Sequence, residues 1–139
     1  MEHDRIEVIL QAWRAAWGKG DIDAFEKILA PGYVRHTRSG VKTIDDLRQE
    51  INDSRTAFPD LDTQILQTVE QGDTLAIRWT SFGSHTGTFM NVPPTQKDVK
   101  VTGASFCRFD DGLLAEEWVV WDPRELLAAM KIWAVGDDE

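Results

Sequence analysis

Residues 99–121 read VKVTGASFCRFDDGLLAEEWVVW and have the pattern of two long β-strands joined by a tight turn. The residues on either side of Asp110-Asp111-Gly112 alternate in polarity, which is the period of a strand with one buried face. The three turn residues suit a hairpin loop with glycine in the left-handed conformation. We therefore predict strands over 99–109 and 113–121 that pair as a hairpin.

The same alternation predicts which side chains face inward. In the first strand the odd positions hold the smaller and more apolar residues: Val99, Val101, Gly103, Ser105, Cys107 and Phe109. A three-residue loop would pair position 109 with 113 and keep the odd positions inward across the turn. The inward row of the second strand is then Leu113, Ala115, Glu117, Val119 and Trp121. A two-residue loop, Asp111-Gly112, would reverse this parity.

In the first part of the chain, before the hairpin, apolar residues have the spacing of helices. Apolar side chains recur every three or four positions over 6–17 and 22–29, and Pro31-Gly32 is predicted to end the second of these helices. A short extended piece over 33–36 should follow. A third helix over 44–58 completes a largely helical first half.

After the third helix the spacing of the apolar residues changes from about 3.6 positions, as in a helix, to 2, as in a strand. Residues 61–69 and 75–81 alternate as strands do, and a long connection over 83–98 leads to the hairpin. Asp122-Pro123 then begins a last helix, with an acidic N-cap and a proline at the first helical position; its apolar stripe includes Trp133. Helices followed by a meander of strands predict an α+β fold with the helices on one face of a curved sheet.

The composition limits the class of protein. At 139 residues the chain is one domain, 1–139, and its 24 acidic against 15 basic residues give a net charge of −9. This excess argues against a nucleic-acid or membrane partner. The lone Cys107 excludes an intramolecular disulfide, and no apolar run is long enough to span a membrane. We expect a cytoplasmic protein.

Glu117 is the main candidate for chemistry. It is the one carboxylate on the predicted inward row, beside the small residues Gly103 and Ser105. In an apolar pocket a carboxyl group can act as a general acid or base. The alternative is a structural glutamate that is solvated or paired with an arginine. Asp122 is expected to act mainly as a helix cap.

His85 and His36 are the candidate proton donors, since histidine can move a proton near neutral pH. The alternative for each is a histidine bonded to the backbone. The two lack the spacing of metal ligands, and the chain has no nucleotide-binding or phosphate-binding motif, so neither a metal nor a cofactor is predicted. The predicted substrate-binding residues form the wall around the site: Trp79, Ser105, Val119, Trp121 and Phe58.

The opposite face of the sheet carries large aromatic residues. Phe82, Phe106 and Trp118 occupy even positions, and three such side chains on one exposed face would be unusual in a monomer. A homodimer formed sheet to sheet would cover them. Alternatively, the 83–98 connection shields this face.

Several short motifs together resemble a known family. In order they are Arg78-Trp79, Gly83-Ser84-His85-Thr86-Gly87, Val92-Pro93-Pro94-Thr95, and Asp111-Gly112 followed by Glu116-Glu117-Trp118 and Asp122. From the first helix to the last, the chain resembles the SnoaL-like polyketide cyclase branch of the nuclear-transport-factor-2-like superfamily. The resemblance implies a cone-shaped α+β barrel with a mostly antiparallel mixed sheet, usually dimeric or larger. It also implies cofactor-free chemistry in a hydrophobic pocket, such as ring closure of a polyketide.

The chain departs from that family where the acid and base are expected. Counted from the hairpin turn, the catalytic aspartate of the cyclases falls on Val119 and an inward histidine falls on Ser105. A second histidine is replaced by Glu117, which lies on the same face as the lost aspartate. We therefore predict a cofactor-independent cyclase, isomerase or lyase that acts on a small apolar or aromatic metabolite. The alternative is a non-catalytic protein that binds or senses such a molecule.

Overall fold

The chain forms four helices and six strands within residues 2–131, which the computed structural model describes, with side chains from Ile6 onward. The helices are α1 (Glu2–Lys19), α2 (Ile22–Glu26), α3 (Ile44–Ala57) and α4 (Pro123–Ala129). The strands are β1 (Leu29–Thr37), β2 (Gly40–Lys42), β3 (Asp62–Gln71), β4 (Thr74–Ser84), β5 (Asp98–Asp110) and β6 (Leu113–Trp121). Trp133 lies outside the described residues. None of the described helices has the length and apolar character needed to cross a bilayer.

All six strands belong to one open mixed sheet. Their order is β2-β1-β6-β5-β4-β3, so β2 and β3 are the two edges. Only β1 and β6 run parallel, and the other neighbouring strands are antiparallel. The parallel pair brings the end of the chain back beside its first strand. This confirms the α+β architecture with a mostly antiparallel mixed sheet.

The turn of the β5–β6 hairpin is shorter than predicted. Asp110 pairs with Leu113, which leaves the two-residue loop Asp111-Gly112. Both loop residues have positive φ, 52° and 81°, as a type I′ turn requires. The two-residue loop reverses the parity next to the turn. Leu114 is therefore fully buried, and the predicted inward placement of Leu113 and Ala115 is wrong.

A bulge in β6 then restores the predicted parity. Arg108 pairs with Glu116 but the next residue of β5 pairs with Leu114, so Ala115 is an extra residue in the second strand. Beyond the bulge, Glu117 and Val119 are buried on the inner face. The predicted inward row is therefore correct at the candidate site. The shorter turn and the bulge each shift the alternation by one residue, and the two shifts cancel.

The second helix ends earlier than predicted. It stops at Glu26, and β1 begins at Leu29, so Pro31-Gly32 lies inside a strand and does not end a helix. The carbonyl of Ile28 accepts a hydrogen bond from the amide of Leu114, which ties this segment to the sheet. Gly32 has φ of +79° at the register irregularity between β1 and β6.

The core lies between the inner face of the sheet and the helices. It contains Ile9, Trp13 and Ala16 from α1 together with Leu47 and Ile51 from α3. These residues follow the helical spacing seen in the sequence, which is why both helices present an apolar stripe to the sheet. A cavity remains where the stripe and the sheet do not fill the space.

Side-chain caps fix the ends of the helices around this cavity. Thr43 and Asp46 form a reciprocal capping box at the start of α3. Asp122 is the N-cap of α4, and its carboxylate accepts a hydrogen bond from the amide of Arg124 at 2.9 Å. The structural role predicted for Asp122 is thereby confirmed.

Candidate active site

A cavity of about 150 Å³ lies between the helices and the inner face of the sheet. A cavity of this size in another protein holds benzene, so one aromatic ring fits inside. Its walls are mostly apolar and include four tryptophans: Trp13, Trp17, Trp79 and Trp121. The five predicted substrate-binding residues all line it: Trp79, Ser105, Val119, Trp121 and Phe58.

Trp79 and Ser105 form a hydrogen-bonded floor. The indole Nε1 of Trp79 donates to Ser105 Oγ at 3.2 Å. Gly103 lies opposite Trp79 on the neighbouring strand, and a Cβ there would lie 2.4 Å from the indole ring. Only a glycine therefore lets the ring lie against the sheet. Because Ser105 Oγ accepts from Trp79, its own hydroxyl proton can be donated to a ligand.

Arg35 and Glu50 place an ion pair on the cavity wall. Arg35 on β1 is buried, and its Nη1 donates to Oε1 of Glu50 on α3. The Arg35 Cζ lies 5.3 Å from the ring centroid of Trp17, a cation–π distance. The Glu50 side chain is 42% exposed. Of the described residues that line the cavity, Glu50 is the only one with a carboxylate.

Glu117 lies behind this wall and is 1% exposed. Its Oε1 accepts a hydrogen bond from the hydroxyl of Tyr33 at 2.8 Å, and its register partner on β1 is Arg35. Glu117 does not line the cavity, whereas Arg35 does. An influence of Glu117 on a ligand in the cavity would therefore pass through Arg35.

The side chains around Glu117 stay protonated because they are buried and because the Glu117 carboxylate is negatively charged. Burial, and next the Glu117 carboxylate, raise the pKa of the Tyr33 phenol and of the Cys107 thiol. Burial lowers the pKa of the Arg35 guanidinium, but the charges of Glu117 and Glu50 outweigh that effect and leave it raised. Arg35, Glu50 and Glu117, which we call the Arg35 cluster, thus combine one guanidinium with two carboxylates.

His85 is fully buried next to the cavity but does not line it. Its Nδ1 accepts the amide N–H of Thr95 at 3.2 Å and lies 2.9 Å from the Thr95 hydroxyl. The neutral ring therefore carries its proton on Nε2, for which the described residues offer no partner. The ring packs on Phe58, at 5.3 Å between centroids, and Phe58 does line the cavity.

His36 lies on the outer face of the sheet. Its Nε2 is 2.6 Å from Glu116 Oε2, and its ring stacks on Trp118 at 5.2 Å. Arg108 also donates to Glu116, and the hydrogen bonds from His36 and Arg108 lower the pKa of the Glu116 carboxyl. The structure thus does not bring Glu117, His85 and His36 together, and their catalytic roles stay predictions.

The sequence reasoning missed the two charged groups of the cavity wall. Arg35 and Glu50 are 15 residues apart but lie on different elements, a strand and a helix, and Glu50 interrupts no apolar row. The available signal was the alternation of β1, in which Arg35 shares a face with Tyr33. A basic residue on this inward row needs an oppositely charged partner once it is buried, and this indicates an ion pair at the inner face.

No three His, Cys, Asp or Glu side chains within the described part of the chain are placed to hold a metal ion.

Comparisons with known proteins agree with this architecture. The family model described as SnoaL-like polyketide cyclase matches residues 7–130. The proposed hydroxylase AclR from Streptomyces galilaeus is similar at 29% identity and a TM-score of 0.83, over 93% of this chain and 96% of that one. IdmH from Streptomyces antibioticus, a proposed polyketide cyclase, is 23% identical with a TM-score of 0.79, over 91% and 98%. TsrD from Streptomyces laurentii is 21% identical with a TM-score of 0.85, over 95% and 98%. The comparison with curated proteins found no match.

Proposed function

This chain belongs to the SnoaL-like polyketide cyclase family, and we propose that it is a cofactor-independent enzyme of the cyclase, isomerase or lyase type. The family supports a small-molecule enzymatic or binding function. The observation that carries the finer proposal is an apolar cavity, the size of one ring, whose wall holds a single carboxylate among the residues that the structure describes. The substrate class is then a small apolar or aromatic metabolite with one polar group.

The polar groups of the cavity suit proton transfer next to a carbonyl. Glu50 would take a proton from the carbon beside a ligand carbonyl, and the electron pair of that C–H bond would move towards the carbonyl oxygen. Ser105 would donate a hydrogen bond to that oxygen as its negative charge grows. The same carboxylic acid then returns the proton to carbon. A placed general base contributes about 10²–10⁴-fold in rate.

We assign Glu117 and His85 to positioning. Glu117 faces Arg35 in the sheet, and Arg35 binds Glu50, so its charge helps fix the base through one intermediate residue. His85 packs on Phe58 and thereby supports the cavity wall. The described contacts of His36 are with Glu116 and Trp118, and we assign it to the outer face of the sheet.

Deuterium exchange into a simple ketone tests the proposal without the natural substrate. Acetophenone in D₂O should exchange its methyl protons faster with the wild type than with Glu50→Gln, followed by proton NMR. Asp53→Asn is the matched control, because Asp53 is an exposed carboxylate on the same helix and does not line the cavity. Exchange that is equal in the wild type and Glu50→Gln would refute the assignment of Glu50.

Glu117→Gln should slow the exchange without abolishing it. Loss of the Glu117 charge leaves Arg35 without one of its two neighbouring carboxylates, so Arg35 and the Glu50 that it binds are held less firmly. An unchanged rate would show that Glu117 has no positioning role. Loss of all exchange in a folded variant would return Glu117 to the role of the base itself.

A binding or sensing function is the second candidate. The observation in its favour is that the positions of the family's aspartate and inward histidine hold Val119 and Ser105, neither of which can act as a base near neutral pH. Binding of acetophenone without any exchange above buffer would favour this function over catalysis.

We also propose a homodimer through the outer face of the sheet, in a reducing compartment such as the cytoplasm. Phe106, Trp118 and Val120 are 43%, 38% and 60% exposed on neighbouring strands of this face. A second copy would cover them by a symmetric contact. Light scattering should show a dimer for the wild type and a monomer for Trp118→Lys, whereas a monomeric wild type would refute the proposal. The buried free thiol of Cys107 is in keeping with the reducing compartment.

A further inference from the structure

We infer that the cavity selects uncharged ligands over carboxylates, and that Glu50 is the residue that sets this preference. The inference rests on the proposed function, since it requires the cavity to be a ligand site. It is not the obvious interpretation of the wall. An arginine in an apolar cavity is usually a binding site for a carboxylate or phosphate.

The guanidinium of Arg35 already binds one carboxylate of the chain, while its buried Nε has no hydrogen-bond partner among the described residues. Its Nη1 donates to Glu50, and the backbone of Glu117 is in register with that of Arg35 across the parallel β1–β6 pair. The indole of Trp17 lies over the guanidinium at 5.3 Å and covers one of its faces. A ligand carboxylate that accepts a hydrogen bond from this Nη1 would therefore have to displace Glu50.

The Arg35 cluster carries more negative than positive charge. It has one guanidinium and two carboxylates, and the other groups in contact with Glu117 do not balance the excess. Burial, and next the Glu117 charge, hold Tyr33 and Cys107 in their neutral forms. A ligand anion in the cavity would meet an uncompensated like charge beside mostly apolar walls, which reduce the screening by water.

An uncharged oxygen acceptor meets no such repulsion. The floor offers it the hydroxyl of Ser105, whose oxygen is engaged by Trp79 and whose proton is available. The remaining walls are mostly apolar, so a neutral ring with one carbonyl group matches the polar and apolar groups of the cavity.

Two probes of matched size test the inference. Acetophenone and benzoate each carry one ring, and binding of either can be followed by quenching of the tryptophans that line the cavity. At neutral pH the wild type should bind acetophenone tighter than benzoate by about tenfold or more. Glu50→Gln frees Arg35 on its cavity side and should raise the benzoate affinity by about tenfold, with acetophenone nearly unchanged.

The controls separate this inference from the proposed function. Asp53→Asn should leave both affinities as they are in the wild type, and circular dichroism checks that each variant is folded. Equal binding of both probes by the wild type would overturn the inference while the ligand site stands. Binding of neither probe would overturn the proposed function as well. If Glu50→Gln does not fold, the wild-type ratio of the two affinities still decides the charge preference.

Discussion

Gly103→Ala should destabilise the protein more than its small size suggests. An added Cβ would lie 2.4 Å from Cζ2 of Trp79 and 2.7 Å from the backbone carbonyl oxygen of Val120. Carbon atoms in contact are separated by about 3.5–4.0 Å, so the indole must move by about 1 Å or more. Overpacking of a core costs about 1–3 kcal/mol, and loss of the Trp79–Ser105 hydrogen bond adds about 1 kcal/mol. We expect a decrease of about 2–4 kcal/mol in the free energy of unfolding.

Urea unfolding followed by circular dichroism measures this change, with Gly18→Ala as the matched control. Gly18 lies in the last turn of α1 and has φ outside the left-handed region, and the nearest atom to an added Cβ is 4.0 Å away. Alanine is the better helix former, so this variant should be as stable as the wild type or more stable. A Gly103→Ala variant within about 0.5 kcal/mol of the wild type would show that the indole does not depend on the missing side chain.

Three further predictions concern the groups around the cavity. Tyr33→Phe removes the donor to the buried Glu117 carboxylate and should lower the free energy of unfolding by about 1–3 kcal/mol in urea; an unchanged midpoint would contradict the bond. Tyr33 and Cys107 have pKa values that are higher in the folded protein than the ordinary 10.0 and 9.0, so their contribution to stability is complete below those values and is lost as the pH rises above them. The urea midpoint should therefore fall above about pH 9, and Cys107→Ala should delay the fall; a midpoint that is flat to pH 11 would exclude the effect. Asp122→Ala should cost about 1 kcal/mol by urea unfolding and Asp122→Ser much less, since serine also caps a helix; equal losses would argue against the cap.

The sequence was sufficient to predict the features that depend on the regular spacing of apolar residues. Alternation alone identified the inward positions of β5, because a strand buried on one side repeats every two residues and Ser105 and Cys107 follow that repeat. Local chemistry also identified the cap at Asp122, since it is decided within four residues.

Features that depend on distant residues could not be predicted. The bulge at Ala115 arises from the combined demands of the turn and of the buried row, and no local signal marks it. The end of α2 was missed because the segment after it bonds to Leu114, more than 80 residues further along the chain. The Arg35–Glu50 pair joins a strand to a helix, and neither residue indicates the other in the sequence.

The bulge in β6 has a consequence for how the length of this hairpin can vary between related chains. A one-residue insertion in the Asp111-Gly112 turn together with loss of Ala115 would leave the number of residues between Arg108 and Glu116 unchanged. The pair of changes would leave Glu117 and Val119 facing inward with the same strand partners. Relatives with a three-residue turn and no bulge can therefore share this cavity, and alignments that place a single gap in the turn would assign the wrong residues to its floor.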